Sequence, residues 1–253
     1  AYKDDPALAV VECRNEDSVF FHNPLSQDLV HGSARPAHQL RLRELWHAWV
    51  ADRYADDAAL AAAWGDGLRA NDSVHADPAA EPMAMYAAWE MTADGPYFNT
   101  AAERARMGDF IRFLAEMQRE DYETYAARLR SIGYDGVVVS TAWKAGGPAA
   151  SAANLWTDDA LDAIDRHNYF GGGEGGHSIT DADADGDGTA GEVHNDTHLN
   201  RPGRGILSAG MWQVEDKPFI MTEWTQKPPN QWKAEIAPLM AKATSDMVLI
   251  LIP

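Results

Sequence analysis

Two glutamates occupy positions suited to an acid and a nucleophile. Glu16 closes the run Ala9-Val10-Val11-Glu12-Cys13-Arg14-Asn15-Glu16, and Glu223 closes Phe219-Ile220-Met221-Thr222-Glu223, just before Trp224. Paired carboxylates on different elements are what cleavage of a glycosidic bond requires. One protonates the leaving oxygen, while the other attacks, or activates water, as positive charge grows on the sugar ring. Between them in sequence lies His167-Asn168-Tyr169, whose rings suit the orientation of a nucleophile. Asn15 suits a sugar hydroxyl, and Trp143 and Trp224 offer flat faces for stacking on a sugar ring. Taken singly, a glutamate at a strand end is usually a solvated loop residue; the argument comes from the set.

A second constellation is acidic. Asp181, Asp183, Asp185, Gly186 and Glu192 match the spacing of a calcium-binding loop, and Asp187 opens a second register. Alternate carboxylates on a tight turn wrap a hard cation. Against a paired EF-hand, position eight of the first register is Gly188 and no convincing helix flanks the loop. The expectation is a structural calcium ion in an isolated loop, set against a solvated acidic insertion; the chemistry itself requires no cofactor.

The elements that would position these groups alternate. Apolar runs at 8–16, 136–140, 163–170 and 218–224 read as short strands, the middle of each too apolar to face water. Leu42, Leu45, Trp46, Trp49 and Val50 share one helical face over 37–54, which makes both tryptophans core residues. The segment 57–64 continues as helix to Gly65. Residues 68–100 are polar and contain proline, a long excursion. Phe110, Phe113, Leu114, Met117, Tyr125, Leu129 and Ile132 mark a helix over 101–132, ended by Gly133. A short helix or turn is expected over 157–163, a Gly- and Asp-rich loop insertion over 171–205 and a helix over 230–243; residues 247–252 are open between a strand and a tail read in a shifted frame. Strands buried on both faces and separated by helices make a parallel α/β sheet. Each strand ends in polar or aromatic residues, and in a parallel barrel those ends converge on one site. Residues 1–253 are read as a single catalytic-type domain.

Composition narrows the classes. Hydrophobic residues are 45% and charged residues 24%, as in ordinary globular chains. The net charge of −18, from 25 Asp and 14 Glu against 15 Arg and 6 Lys, repels phosphate backbones and anionic membranes. No nucleic-acid or membrane partner is expected. A single cysteine, Cys13, excludes an internal disulfide framework. Gly171 to Gly176 formally contains a G-x-G-x-x-G, but no helix opens after it, so it is a loop rather than a dinucleotide site. No G-x-S-x-G elbow exists, which argues against an esterase.

These residues carry a family resemblance. The run from Ala9 to Asp17 resembles the fourth strand of clan A retaining glycoside hydrolases, whose Asn-Glu supplies the acid/base. Phe219 to Trp224 resembles their seventh strand, with the nucleophilic glutamate. Ile164 to Tyr169 resembles the sixth strand, and Val137 to Trp143 falls where the fifth belongs. The resemblance implies a (β/α)8 TIM-barrel fold represented by its fourth to seventh strands, with a helical excursion between the first two strands of this chain. It also implies a retaining, double-displacement mechanism: Glu16 must hold a proton, Glu223 must be ionised, and their carboxyls must lie roughly 5–5.5 Å apart. Asn15, His167, Tyr169, Trp143 and Trp224 would contact a poly- or oligosaccharide substrate, and a secreted or periplasmic location follows from that substrate. The first three strands and the tryptophan of the eighth have no counterpart, so a fragment is expected, self-associating through exposed barrel edges. Two other readings stay open at this point: a truncated barrel that binds carbohydrate without turnover, and a calcium-binding acidic domain.

Overall fold

A computed structural model describes residues 2–20, 27–33, 35–91, 101–142, 148–170, 197–200, 210, 212–226, 231–243 and 249–251. Two compact units emerge. One comprises Ala1–Asp17, Tyr122–Trp143 and Asp158–Pro253; the other comprises Ser18–Asp121 and Lys144–Thr157. The expected loop insertion and its acidic residues Asp181, Asp183, Asp185, Asp187 and Glu192, like Trp143, lie outside the described residues.

The first unit holds the strands: β1 (Val10–Glu12), β2 (Val137–Val139), β3 (Ile164–Phe170), β4 (Phe219–Gln226) and β5 (Leu249–Leu251). Every pairing is parallel, β1 with β2 in one sheet and β3-β4-β5 in another. Main-chain bonds also run between the segments holding β2 and β3, from Asp162 N–H to Val138 O at 3.1 Å and from His167 N–H to Ala142 O at 2.9 Å. Spatial order therefore follows chain order.

The faces sort by the two-residue period of a strand. Val138 and Val11 pack with Leu161, Tyr134 and Tyr122, beside Leu129 and Ala126. Val10, Val137, Val139, Ala163 and Ile220 form a second cluster on the opposite face, made, among the described residues, only of residues in or next to strands. A strand covered on both sides has to be apolar throughout, which is why Val137-Val138-Val139 shows no polar alternation.

Between β1 and β2 the chain runs through helices α1 (Gln27–Val30), α2 (Pro36–Arg53), α3 (Asp57–Trp64) and α4 (Ala101–Ser131). Pro36 opens α2 at the position where a missing N–H costs nothing. Asp56 caps α3 by accepting from Ala59 N–H at 2.8 Å. The 31-residue α4 ends where Tyr134 N–H reaches Leu129 O at 3.1 Å and Gly133 N–H reaches Arg130 O at 2.9 Å. Gly133 takes φ +86°, the left-handed turn that this C-cap requires. Of the short helix or turn expected over 157–163, a turn follows Asp158, and the helix, α5, lies before it at Pro148–Asp158. Its alanines favour helix without leaving an apolar stripe to read. A final helix, α6, spans Ile236–Ala243.

The second unit buries aromatic rings. Trp46 is fully buried and stacks on Trp49 and Trp64, with centroids 5.4 and 6.0 Å away, and meets Phe110 edge-on at 5.2 Å. Beside them Arg106 donates to both oxygens of Asp72 at 2.7 Å and to Ala84 O at 2.6 Å, while its guanidinium lies over Trp64 and Tyr86. Neither side chain of the pair touches water. Asp72→Ala would leave that cation buried without its partner, so the variant is expected to lose about 3–5 kcal/mol in urea unfolding. Replacing both residues by apolar ones of similar volume should recover most of the loss.

Candidate functional site

The polar groups of the first unit lie beside the all-strand cluster because strand parity puts them there. Glu12 follows Val10 by two residues, Asp165 follows Ala163, and Thr222 follows Ile220. The apolar members make the floor, and the next residues on the same face carry oxygen or nitrogen.

The register of β3 against β4 then breaks. Asp165 pairs with Ile220, but His167 pairs with Glu223, so two steps on β3 oppose three on β4. This bulge re-aims consecutive side chains of β4. Thr222 and Glu223 would point to opposite faces of a regular strand; here both come to His167. Thr222 Oγ1 lies 2.9 Å from His167 Nε2, and Glu223 Oε2 lies 3.6 Å from His167 Nδ1.

Glu16 arrives from the turn after β1. Its N–H donates to Thr141 O at 2.9 Å, and its backbone takes φ +47°, a left-handed conformation that costs a glutamate about 1–2 kcal/mol. The strain is held where it aims the side chain: Glu16 Oε1 sits 2.8 Å from His167 Nδ1. One oxygen of Glu16, one of Glu223 and the His167 nitrogen all lie within 4.8 Å of one another. Exposure is graded across the trio. The His167 side chain is 1% exposed, Glu16 23% and Glu223 45%, so the carboxyls face water and the imidazole does not.

Beneath them lies a buried layer. Asp165, fully buried, accepts from Thr222 N–H at 3.0 Å and from Thr222 Oγ1 at 2.6 Å. Burial pushes its carboxyl above the ordinary range, although the Thr222 bonds oppose the shift. Glu12 brings an oxygen within 4.8 Å of Asp165 and His167. Burial, together with the carboxylates of Asp165, Glu223 and Glu16, raises it from an ordinary 4.5 to about 7, against the opposing pull of His167. Among the described residues its buried Oε1 has no hydrogen-bond partner. A further buried pair, Arg166 with Asp158 at 2.9 Å, lies in the same unit.

Of the residues expected from sequence, the structure brings Glu16, His167 and Glu223 together. Asn15 is exposed beside Glu16, and Trp224 follows Glu223 half-buried. Tyr169 stands on β3 opposite Thr225. Trp46 and Trp49 are indeed packed on other rings, and Trp89 is exposed. Sequence reasoning passed over Glu12, Asp165 and Thr222. The usable signal was parity: each is a polar residue inside an apolar run, two positions beyond a residue of the apolar floor.

Two trios, Glu12-Asp165-His167 and Glu16-His167-Glu223, are close enough to surround a cation. In both, the imidazole is already engaged at its two nitrogens, by Thr222 and by Glu16. The arrangement is suited to moving protons between a water-facing carboxyl and a buried ring.

Compared with family models, curated proteins and solved structures, the chain finds no match in any of the three.

The raised Glu12 gives a signed prediction. The folded chain holds this proton up to about 7 and the unfolded chain only to about 4.5, so stability falls as pH rises between those values. Glu12→Gln mimics the protonated group and removes that fall. Thermal unfolding should find the variant gaining on the parent between about pH 5 and about pH 8.

Proposed function

We propose that this chain is a retaining glycoside hydrolase acting on β-glycosidic bonds of a poly- or oligosaccharide. The observation that carries the reading is the approach of Glu16, from the turn after β1, and Glu223, from β4, to within 4.8 Å between one oxygen of each around one buried histidine. Carboxyls of retaining enzymes stand about 5–5.5 Å apart, whereas inverting enzymes need about 6.5–9.5 Å to admit a water.

In this reading Glu223 attacks the anomeric carbon. The bond to the leaving oxygen breaks as Glu16 delivers a proton to that oxygen. Water then attacks the glycosyl-enzyme, Glu16 takes the water's proton, and the bond to Glu223 Oε breaks. Each carboxyl has a suitable setting. Glu223 is open to solvent and to substrate, and Glu16 is backed by an imidazole that can exchange a proton with it. The proposal extends to the (β/α)8 architecture. Parallel strands whose spatial order follows chain order support it, as does a strand face that packs, among the described residues, only on residues in or next to strands. The net charge of −18 favours neutral glycans over anionic ones.

Hydrolysis of a panel of aryl β-glycosides and plant and algal polysaccharides tests the reading. Glu223→Ala should abolish turnover, and Glu16→Ala should lower it by about 10²–10⁴-fold, least for substrates with a good leaving group. Azide should restore turnover of Glu16→Ala by attacking the glycosyl-enzyme without needing a general base. A folded parent chain with no turnover across the panel, or turnover indifferent to Glu223→Ala, sinks the reading.

A further inference from the structure

The two hydrogen bonds that hold His167 have a direction. The Thr222 hydroxyl carries one hydrogen, and it goes to Asp165 Oδ2 at 2.6 Å while the Thr222 N–H goes to Oδ1 at 3.0 Å. With Asp165 ionised, both of its oxygens are acceptors toward Thr222. With its hydrogen committed, Thr222 Oγ1 can only accept from the ring nitrogen 2.9 Å away, so His167 Nε2 must be protonated.

A neutral imidazole has one N–H. If it sits at Nε2, then Nδ1 is a bare lone pair, and Nδ1 faces Glu16 Oε1 at 2.8 Å. An ionised Glu16 opposite a bare Nδ1 would put two acceptors in contact. One further proton has to occupy that contact, either on Glu16 or on the ring. Surrounding acid favours retaining it: Glu12 approaches from β1, Asp165 lies on the same strand as the ring, and Glu223 on β4, against Arg166 beside Asp165 and Arg14 two residues before Glu16.

We propose that Thr222 is a positioning residue which, backed by Asp165, locks His167 with Nε2 protonated and thereby obliges Glu16 and His167 to share one further proton. That shared proton is the one the acid step spends. Its catalytic meaning rests on the hydrolase reading; the tautomer does not. Without the Thr222 hydroxyl the neutral ring turns to its Nδ1–H form and donates to ionised Glu16, so the pair no longer needs the extra proton and gives it up at lower pH.

The test is nitrogen-15 NMR of the histidine rings in the full chain, with His167 assigned by the signal lost in His167→Asn. In the parent chain, neutral His167 should be the Nε2–H tautomer. In Thr222→Val the Nδ1–H tautomer should appear, and the loss of the last shared proton should move down by about one pH unit, the scale of one hydrogen bond. Thr222→Ser should restore both. On any glycoside that is turned over, the basic limb of kcat/KM should move with it. A neutral Nδ1–H ring in the parent chain overturns the proposal, and that reading needs no variant to fold. So does a titration unchanged by Thr222→Val. A parent chain without turnover would remove the hydrolase reading, and the ring spectrum would still decide the tautomer.

Discussion

An imidazole with 1% of its side chain exposed must have both nitrogens satisfied by protein, and around His167 this requirement organises the site. One nitrogen meets the Thr222 hydroxyl and the other meets Glu16. Satisfying both demands a hydroxyl at one nitrogen, which the buried carboxyl of Asp165 holds in place. It also demands a carboxyl brought over from the far end of β1. The left-handed backbone of Glu16 is a local departure from regular geometry that meets the second demand, and the bulge in β4 adds Glu223 to the same ring.

The density of acid is tolerable for the same reason. Glu12, Glu16, Asp165 and Glu223 gather around one ring, and four full negative charges at that spacing would repel strongly. The cluster is relieved by protons. Glu12 holds one up to about pH 7. Burial lowers the local dielectric, which makes each retained proton worth more. A site that must protonate one group and keep a neighbour ionised is well served by carboxyls whose surroundings differ this much. Glu223 is nearly half exposed, and Asp165 is sealed.

The second unit uses a different principle. Its tryptophans, which in an acidic chain suggest sugar faces, stack mainly on one another: Trp46 lies against Trp49 and Trp64. Arg106 crosses that aromatic group with its charge matched by Asp72 and spread over two ring faces. Residue type alone cannot separate an aromatic that stacks on a ligand from one that stacks on a neighbour, whereas helical spacing can. The 3-1-3-1 spacing of Leu42, Leu45, Trp46, Trp49 and Val50 already assigned these two rings to a packed face.

The amino-acid sequence by itself determined the alternation of short apolar strands with helices, the end of α4 at Gly133, and the placing of Glu223 on one strand and Glu16 shortly after another. Those features follow from local rules, namely apolar periodicity, caps and glycine, that operate over a few residues. Tertiary structure alone decided which polar groups share a hydrogen. His167 lies 151 residues from Glu16 and 55 from Thr222, and Glu223 reaches the ring because a bulge shifts β4 by one residue against β3. A one-residue shift turns a side chain to the other face of a sheet, so no pattern within a single strand can announce it. Glu12 and Asp165 were visible as acids inside apolar runs. What they do was set by the neighbours that parallel pairing brought beside them.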